Sequence, residues 1–162
     1  SEFTDLLRDV DISVKYQFMV DHPLVECDLN KIQQILRNLI GNAIKYSDPG
    51  KTIRITILPG TLVRKFSART TDVSEVSALS VMVADEGIGI PAQELHEIFE
   101  KFYQSSRTRT GAGGTGLGLA ICKEIAMMHH GRIVAENNPK GGATLTLTIP
   151  VSQQVSHQLK YA

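Results

Sequence analysis

The chain has 162 residues, of which 42% are hydrophobic, and its 17 basic and 17 acidic side chains cancel. This length is most simply one domain, 1–162, and the balanced charge excludes a global field that would attract nucleic acid or an anionic membrane. Two cysteines and no apolar run of membrane-spanning length predict a reduced, cytoplasmic domain, which leaves open a membrane anchor elsewhere in the full-length protein.

The first predicted elements are a leading segment, a strand and an amphipathic helix. Residues 1–10 fit either an expression remnant or a short leading helix, and a strand is expected near residues 14–20. The helix follows from apolar residues that recur with a 3.6-residue period over residues 32–44. We expect Asp28 or Asn30 to cap its start, because both side chains accept hydrogen bonds from free backbone N–H groups.

The polar side of this helix carries amides and a lysine. Asn38, Asn42 and Lys45 recur every three or four residues, so they share one face and can converge on one ligand. A helix face that only meets water favours Glu, Lys and Arg over Asn, which has a lower helix propensity. The pattern therefore favours a ligand site.

The remaining pattern predicts an α+β fold. Alternating apolar residues predict antiparallel strands at residues 53–57 and 79–83, and residues 59–78 between them are expected to form a loop or a distorted hairpin. We then expect a helix at residues 94–104, a mobile segment at 105–113 and a second helix at 117–130. Two strands at 132–136 and 144–149 and a flexible tail at 151–162 complete the chain. We predict a two-layer α/β sandwich, a mixed sheet with helices on one face.

A polar turn follows the second of the antiparallel strands. Asp85 ends this apolar strand, and Gly87 and Gly89 allow the backbone to approach a planar base without an intervening side chain. A carboxylate here can accept a hydrogen bond from the exocyclic amine of adenine, which would select adenine over guanine. Taken alone, Asp85 is equally consistent with a turn-forming aspartate.

A glycine-rich segment precedes the last predicted helix. Gly114, Gly116 and Gly118 free the backbone to bend where unpaired N–H groups and the helix dipole attract phosphate, and Thr115 adds a hydroxyl. The segment also satisfies the dinucleotide fingerprint G-x-G-x-x-G. That fingerprint must follow a strand directly, whereas residues 105–110 are polar and fit a lid, so we reject a dinucleotide-binding fold.

Together, four ordered motifs resemble the ATP-binding catalytic domain of sensor histidine kinases. They are N-x-x-x-N-A-x-K-Y-S, D-x-G-x-G-I, I-F-E-K-F-Y and G-T-G-L-G-L, and the likeness covers roughly residues 28–150. The wider superfamily also contains type II topoisomerase ATPases, mismatch-repair ATPases and a heat-shock chaperone. The resemblance implies a histidine kinase ATPase-like fold with an ATP lid.

The resemblance also implies a Mg-ATP site. It gives Asn42 as a Mg²⁺ ligand, Lys45 as a phosphate contact and Tyr46 as a wall beside the nucleoside. The other residues implied to contact the nucleotide lie in the polar turn, the lid and the glycine-rich segment: Asp85, Gly87, Gly89, Ile90, Arg107, Gly114, Thr115, Gly116, Leu117, Gly118 and Leu119.

The residue at position 38 distinguishes enzymes that transfer a phosphoryl group from enzymes that hydrolyse ATP. In the hydrolysing superfamily members this position is a glutamate that activates water, whereas an amide has no usable basic site. We therefore expect Asn38 and Lys45 to serve transfer of the γ-phosphoryl group through positioning and charge neutralisation. The implied partners are a histidine on a separate dimerisation domain and a response regulator receiver domain, so a fragment without the former should bind Mg-ATP without phosphorylating itself.

Two alternative functions stay open at this point. A serine kinase of the anti-sigma type would act on a protein partner without dimerisation helices. A degenerate ATP-binding regulatory module is suggested by Gln104, where many relatives carry an arginine that Lys101 or Arg107 would have to replace. His96-Glu97 resembles the phosphoacceptor sequence but lies at the wrong place in the domain order, so we expect His96 at the surface.

Overall fold

The computed structural model describes residues 11–65, 73–106 and 115–153. In these ranges the chain forms five strands and two α-helices: β1 (Ser13–Phe18), α1 (Leu29–Lys45), β2 (Thr52–Lys65), β3 (Val73–Ala84), α2 (Gly118–Met128), β4 (Arg132–Asn137) and β5 (Ala143–Pro150). The predicted leading segment 1–10, most of the predicted lid and the tail from residue 154 lie outside the described residues.

The five strands form one mixed sheet in the order β1-β2-β3-β5-β4. β1 and β2 are parallel, and the other neighbours are antiparallel. Val83 lies opposite Ile55 on one side and Leu145 on the other, so the register aligns apolar side chains on a single face. That face packs against the helices, which confirms the predicted two-layer sandwich.

Helix α1 buries the apolar stripe that the sequence predicts. Ile35 and Leu39 are almost completely buried, and they pack with Val83 of the sheet and Cys122 of α2. Burying one such aliphatic side chain stabilises the fold by about 1.5–3 kcal/mol before entropy losses are counted. The same packing holds the opposite, polar side of α1 in a fixed orientation.

The start of α1 is attached to the end of α2. Asp28 is the N-cap, and its Oδ1 accepts from Lys31 N–H at 3.1 Å, which confirms one of the two predicted caps. The Asp28 N–H donates to Nε2 of the buried His129 at 3.0 Å, while Nδ1 of that ring lies 2.8 Å from the Ile125 carbonyl. Because a carbonyl only accepts and the Asp28 N–H only donates, Nδ1 is the ring nitrogen that donates and Nε2 the one that accepts.

One predicted helix is wrong and one predicted loop is partly wrong. Where a helix was predicted over residues 94–104, the chain has two short 3₁₀ turns, Ala92–Glu94 and Glu97–Phe99. Phe102 has φ +63, a left-handed conformation that an α-helix does not contain. Residues 59–65 and 73–78 continue β2 and β3 as a paired antiparallel ribbon, with Thr61 opposite Ser77, so these described residues form strands rather than a loop. Residues 66–72 lie outside the described residues. Threonine in this segment is compatible with a β-strand because its side chain is β-branched.

The end of α2 carries a strained residue. His130 has φ +56, its N–H bonds to Met127 O at 2.9 Å, and Gly131 N–H bonds to Ala126 O at 2.9 Å. This is a Schellman motif with histidine at the position that favours glycine. We expect His130→Gly to raise the free energy of unfolding by about 1 kcal/mol, because glycine removes the Cβ clash of the left-handed conformation.

Urea unfolding of the parent and His130→Gly measures this effect. His130→Ala is the matched control, since alanine keeps the Cβ atom and should leave the stability near that of the parent. Equal stabilisation by both variants would show that loss of the exposed imidazole, rather than relief of backbone strain, is responsible.

Candidate nucleotide-binding site

A cavity of about 310 Å³ opens between α1, the loop after β3 and the start of α2. Most of the predicted site residues that the structure describes line it: Asn38, Asn42, Lys45, Tyr46, Asp85, Gly89, Ile90, Thr115, Gly116, Gly118 and Leu119. Gly87 and Leu117 lie beside the cavity rather than in its wall, and Arg107 and Gly114 fall outside the described residues. The tertiary fold thus brings three separate sequence motifs to one cavity.

The α1 side of the cavity is polar. Asn38 and Asn42 are half-buried, and Lys45 is exposed with its Nζ 5.2 Å from the centre of the Tyr46 ring. Asn38 Nδ2 lies 3.4 Å from the Gly118 carbonyl, which connects the polar face of α1 to the start of α2. Amide groups and one ammonium group therefore face the volume that the glycine-rich segment borders.

Cys122 lies under this face and does not supply a nucleophile. Burial raises the pKa of its thiol to about 11, although a hydrogen bond from Asn38 acts in the opposite direction. The thiol is therefore protonated at neutral pH, and a protonated thiol is a poor nucleophile. Its role is packing, in line with its complete burial.

Asp85 is buried, and its carboxylate is held by backbone groups. Its Oδ1 accepts from Gly87 N–H at 2.9 Å and from Ala143 N–H at 3.1 Å. Burial raises the pKa of this carboxyl, and the two hydrogen bonds partly oppose that shift. Since both bonds from the described residues go to Oδ1, Oδ2 remains available to accept from a ligand in the cavity.

Gly87 has a steric role that the sequence pattern indicates only in part. A Cβ atom on Gly87 would lie 2.0 Å from the Tyr46 carbonyl oxygen, so the end of α1 and the turn approach too closely for any side chain. This contact places Tyr46 beside Asp85 at one end of the cavity. The predicted close approach of backbone thus occurs at Gly87, and the group that it approaches is the Tyr46 carbonyl.

Several residues of the cavity wall were not among the predicted site residues. Ile98, Tyr103, Gln104 and Ser105 enter the cavity wall from the segment that leads to the predicted lid. Burial and hydrogen bonding to Glu97 raise the pKa of Tyr103 to about 12, so its hydroxyl stays protonated. Ile98 and Tyr103 are the first and last residues of the I-F-E-K-F-Y motif, which was the available signal.

Glu94 holds the first two residues of the predicted lid, Ser105 and Ser106, which are the last residues described before position 107. Its carboxylate accepts from the hydroxyl groups of Ser105 and Ser106, and the Ser106 N–H donates to it at 3.3 Å. The two serine hydroxyls are the main reason that the pKa of Glu94 is lowered. No sequence signal marks this pairing, because the partners are eleven and twelve residues apart in an irregular segment.

The donor set in the cavity suits one particular kind of metal site. Among the described residues, no group of three His, Cys, Asp or Glu side chains lies close enough to hold a metal ion. The oxygens that α1 presents are the amide oxygens of Asn38 and Asn42, which are hard and neutral. Mg²⁺ commonly takes one or two protein ligands and completes its shell with phosphates and water, so these residues fit it.

Comparison with known proteins decides the family. Residues 27–153 match the profile of the family described as histidine kinase-, DNA gyrase B- and HSP90-like ATPase. The chain belongs to this family. Its resemblance to the catalytic domain of sensor histidine kinases is thereby confirmed, and with it a domain that binds ATP.

Curated relatives include sensor histidine kinase WalK of Bacillus subtilis (strain 168), which is 40% identical over 132 residues. That match covers 80% of this chain and 19% of the relative. The adaptive-response sensory kinase SasA of Synechococcus sp. (strain CC9311) is 34% identical over 143 residues, covering 88% of this chain and 34% of the relative. The chain thus spans about a fifth to a third of these two histidine kinases.

Solved structures show the same fold. The catalytic domain of histidine kinase ThkA superposes with a TM-score of 0.72 at 28% identity, covering 93% of this chain and 88% of that one. A structure of ThkA in complex with the response regulator protein TrrA matches with a TM-score of 0.69 at 26% identity, covering 94% and 38% of the two chains. Among the residues our structure describes, no helix has the length and apolar character needed to cross a membrane.

Proposed function

We propose that this histidine kinase domain binds Mg-ATP in the cavity and donates the γ-phosphoryl group to a histidine on a separate dimerisation domain. The phosphoryl group then passes to the receiver domain of a response regulator. The observation that carries this proposal is the meeting of the α1 polar face, the buried Asp85 and the glycine-rich segment in one cavity. ThkA, which shares the fold, was solved in complex with a response regulator.

Each wall of the cavity corresponds to one part of the nucleotide. Asp85 and Ile90 form the end suited to adenine, because Asp85 Oδ2 can accept from the exocyclic amine. Asn38, Asn42 and Lys45 form the end suited to phosphates. Thr115, Gly116 and Gly118 lie at the N-terminus of α2, where backbone N–H groups and the helix dipole favour anions.

The residues of α1 supply positioning and charge rather than a base. Asn42 would hold Mg²⁺, which when bound neutralises charge on the phosphates, and Lys45 adds a second positive charge. Asn38 occupies the position from which a carboxylate would activate water, and its carboxamide instead contacts Gly118. The site thus favours transfer to an acceptor over hydrolysis. In this proposal a fragment without the dimerisation domain binds Mg-ATP but does not phosphorylate itself.

Titration with a fluorescent ATP analogue tests the nucleotide site. The parent should bind, and Asn42→Ala should weaken binding in the presence of Mg²⁺ by about 10- to 100-fold, comparable to the loss of a partner that supports a metal site. With EDTA present, parent and variant should bind equally weakly. Asn30→Ala is the matched control, since Asn30 is exposed at the other end of the same helix.

Absence of binding by the parent would refute the proposal. An equal loss for Asn42→Ala with and without Mg²⁺ would contradict the metal role of Asn42 while leaving nucleotide binding intact.

Phosphotransfer from labelled ATP to a separately purified, histidine-bearing dimerisation domain tests the reaction. An acid-labile, alkali-stable product would support phosphohistidine, and no label should appear on the catalytic domain alone. An acid-stable label on serine would instead support the serine kinase alternative. Binding without any transfer would support the degenerate module that Gln104 suggests.

A further inference from the structure

The loop of residues 85–90 follows β3 and holds the groups expected to contact the base. It contains Gly87 and Gly89, and Gly89 has φ +68. A loop with two glycines has unusually many backbone conformations, so holding Asp85 and Ile90 in one geometry costs conformational entropy. Other parts of the fold must supply interactions that keep the loop in place.

Asn137 at the end of β4 holds the far end of this loop. The Ile90 N–H donates to Asn137 Oδ1 at 2.8 Å, and Asn137 Nδ2 donates to the Ile90 carbonyl at 2.6 Å. One carboxamide thus satisfies both backbone groups of a residue that lines the cavity. A carboxylate of the same shape would repel the Ile90 carbonyl, because it has no donor.

Asn138 holds the near end of the loop. Its Nδ2 donates to the Asp85 carbonyl at 2.9 Å, and its Oδ1 accepts from the Thr144 hydroxyl at 2.6 Å. The Thr144 bond orients the carboxamide so that the donor faces Asp85. Together with the bonds between Asp85 and Ala143, this arrangement attaches Asp85 to the β4–β5 connection.

We propose that Asn137 and Asn138 are positioning residues that set the geometry of adenine recognition, Asn138 through Asp85 and Asn137 through Ile90. Neither asparagine lines the cavity, so both act through the loop. The inference rests on the proposed ATP site. It assigns base selection to the last residue of β4 and the turn that follows it, whereas the phosphate end of the cavity is formed by α1 and α2.

Comparing the affinities for ATP and inosine triphosphate shows whether Asn138 positions the adenine contact or only stabilises the domain. The two nucleotides share their phosphates and ribose, but inosine has an oxygen where adenine has the amine. Asn138→Ala should weaken ATP binding about 3- to 10-fold, the loss of one hydrogen bond, and leave inosine triphosphate unchanged. Lys140→Ala, an exposed residue of the same turn, should change neither affinity.

Two further variants test the chain of contacts. Thr144→Val should weaken ATP binding in the same selective way, and Asn138→Ala/Thr144→Val should bind ATP no more weakly than Asn138→Ala, because Thr144 acts through Asn138. Equal losses for both nucleotides, or additive losses in the double variant, would overturn the role of Asn138.

Hydrogen exchange tests the loop independently of nucleotide. In the nucleotide-free protein, the Ile90 amide should exchange faster in Asn137→Ala than in the parent, because its acceptor is lost. Unchanged exchange would overturn the role of Asn137 whether or not the parent binds ATP. Failure of the parent to bind either nucleotide would refute the proposed function, a result distinct from this one.

Discussion

Asp85→Asn is expected to weaken ATP binding about 10- to 100-fold, the cost of losing a hydrogen bond to a charged acceptor. The asparagine oxygen can still accept from Gly87 and Ala143, but its amide then presents N–H donors to the adenine amine. Two donors facing each other cannot bond. Titration with the fluorescent ATP analogue measures the change, and Asp48→Asn, an exposed aspartate after α1, is the matched control.

The same variant should be at least as stable as the parent at pH 7. Burial raises the pKa of Asp85 above its usual range, so the folded state holds this proton more tightly than the unfolded state. The resulting stability is fully present below the unfolded pKa and is lost as pH rises through the folded pKa. At neutral pH the buried charge therefore costs stability, and a neutral asparagine avoids that cost.

Urea unfolding of Asp85→Asn at several pH values checks this second expectation. The stability advantage of the variant over the parent should grow from acid to neutral pH. A variant that is unfolded at pH 7 would contradict the assignment, since lost binding would then reflect lost structure. Unchanged ATP affinity in a folded variant would place the adenine contact elsewhere.

Gly142→Ala is expected to destabilise the domain by about 2–5 kcal/mol, the sum of left-handed backbone strain and overpacking. Gly142 has φ +82, and a Cβ atom there would lie 2.1 Å from the Asp85 carbonyl oxygen. Relief of that clash must move the loop away from β5. ATP affinity should therefore fall together with stability.

The neighbouring Gly141 provides a matched control. It has φ +99, but a Cβ atom on it would meet no atom within 4 Å. Gly141→Ala should therefore cost only the strain, about 1–2 kcal/mol, and leave ATP affinity unchanged. Urea unfolding measures both variants, and equal costs would show that the contact with Asp85 is not what requires glycine at position 142.

Most of the fold could be predicted because its elements are locally encoded. The apolar period of α1 and the alternation in β2 and β3 each repeat over many residues, so a single exception does not erase them. The segment 94–104 was mispredicted as a helix because its apolar residues have helical spacing. In the structure, the Glu94 carboxylate accepts hydrogen bonds from Ser105 and Ser106, and these bonds stabilise an irregular turn. Such side-chain bonding competes with a helix without leaving a periodic signal.

Some residues of the candidate site could be predicted from sequence motifs, and others could not. Asn42, Asp85 and Gly116 stand in motifs whose residue types already match the chemistry of metal, base and phosphate binding. Asn137 and Asn138 stand in none of these motifs. Their roles depend on the register that brings the β4–β5 connection to the Asp85 loop.

Local periodicity and ordered motifs were enough to predict the family, the two-layer fold and the residue types that the proposed Mg-ATP site requires. The groups that hold those residues in place became visible only in the folded domain. The hydrogen bonds from Asn138 to Asp85 and from Ser106 to Glu94 join residues that no repeating sequence pattern marks as partners. They form because packing of the sheet against α1 and α2 brings the loops together, and that packing is a property of the whole domain.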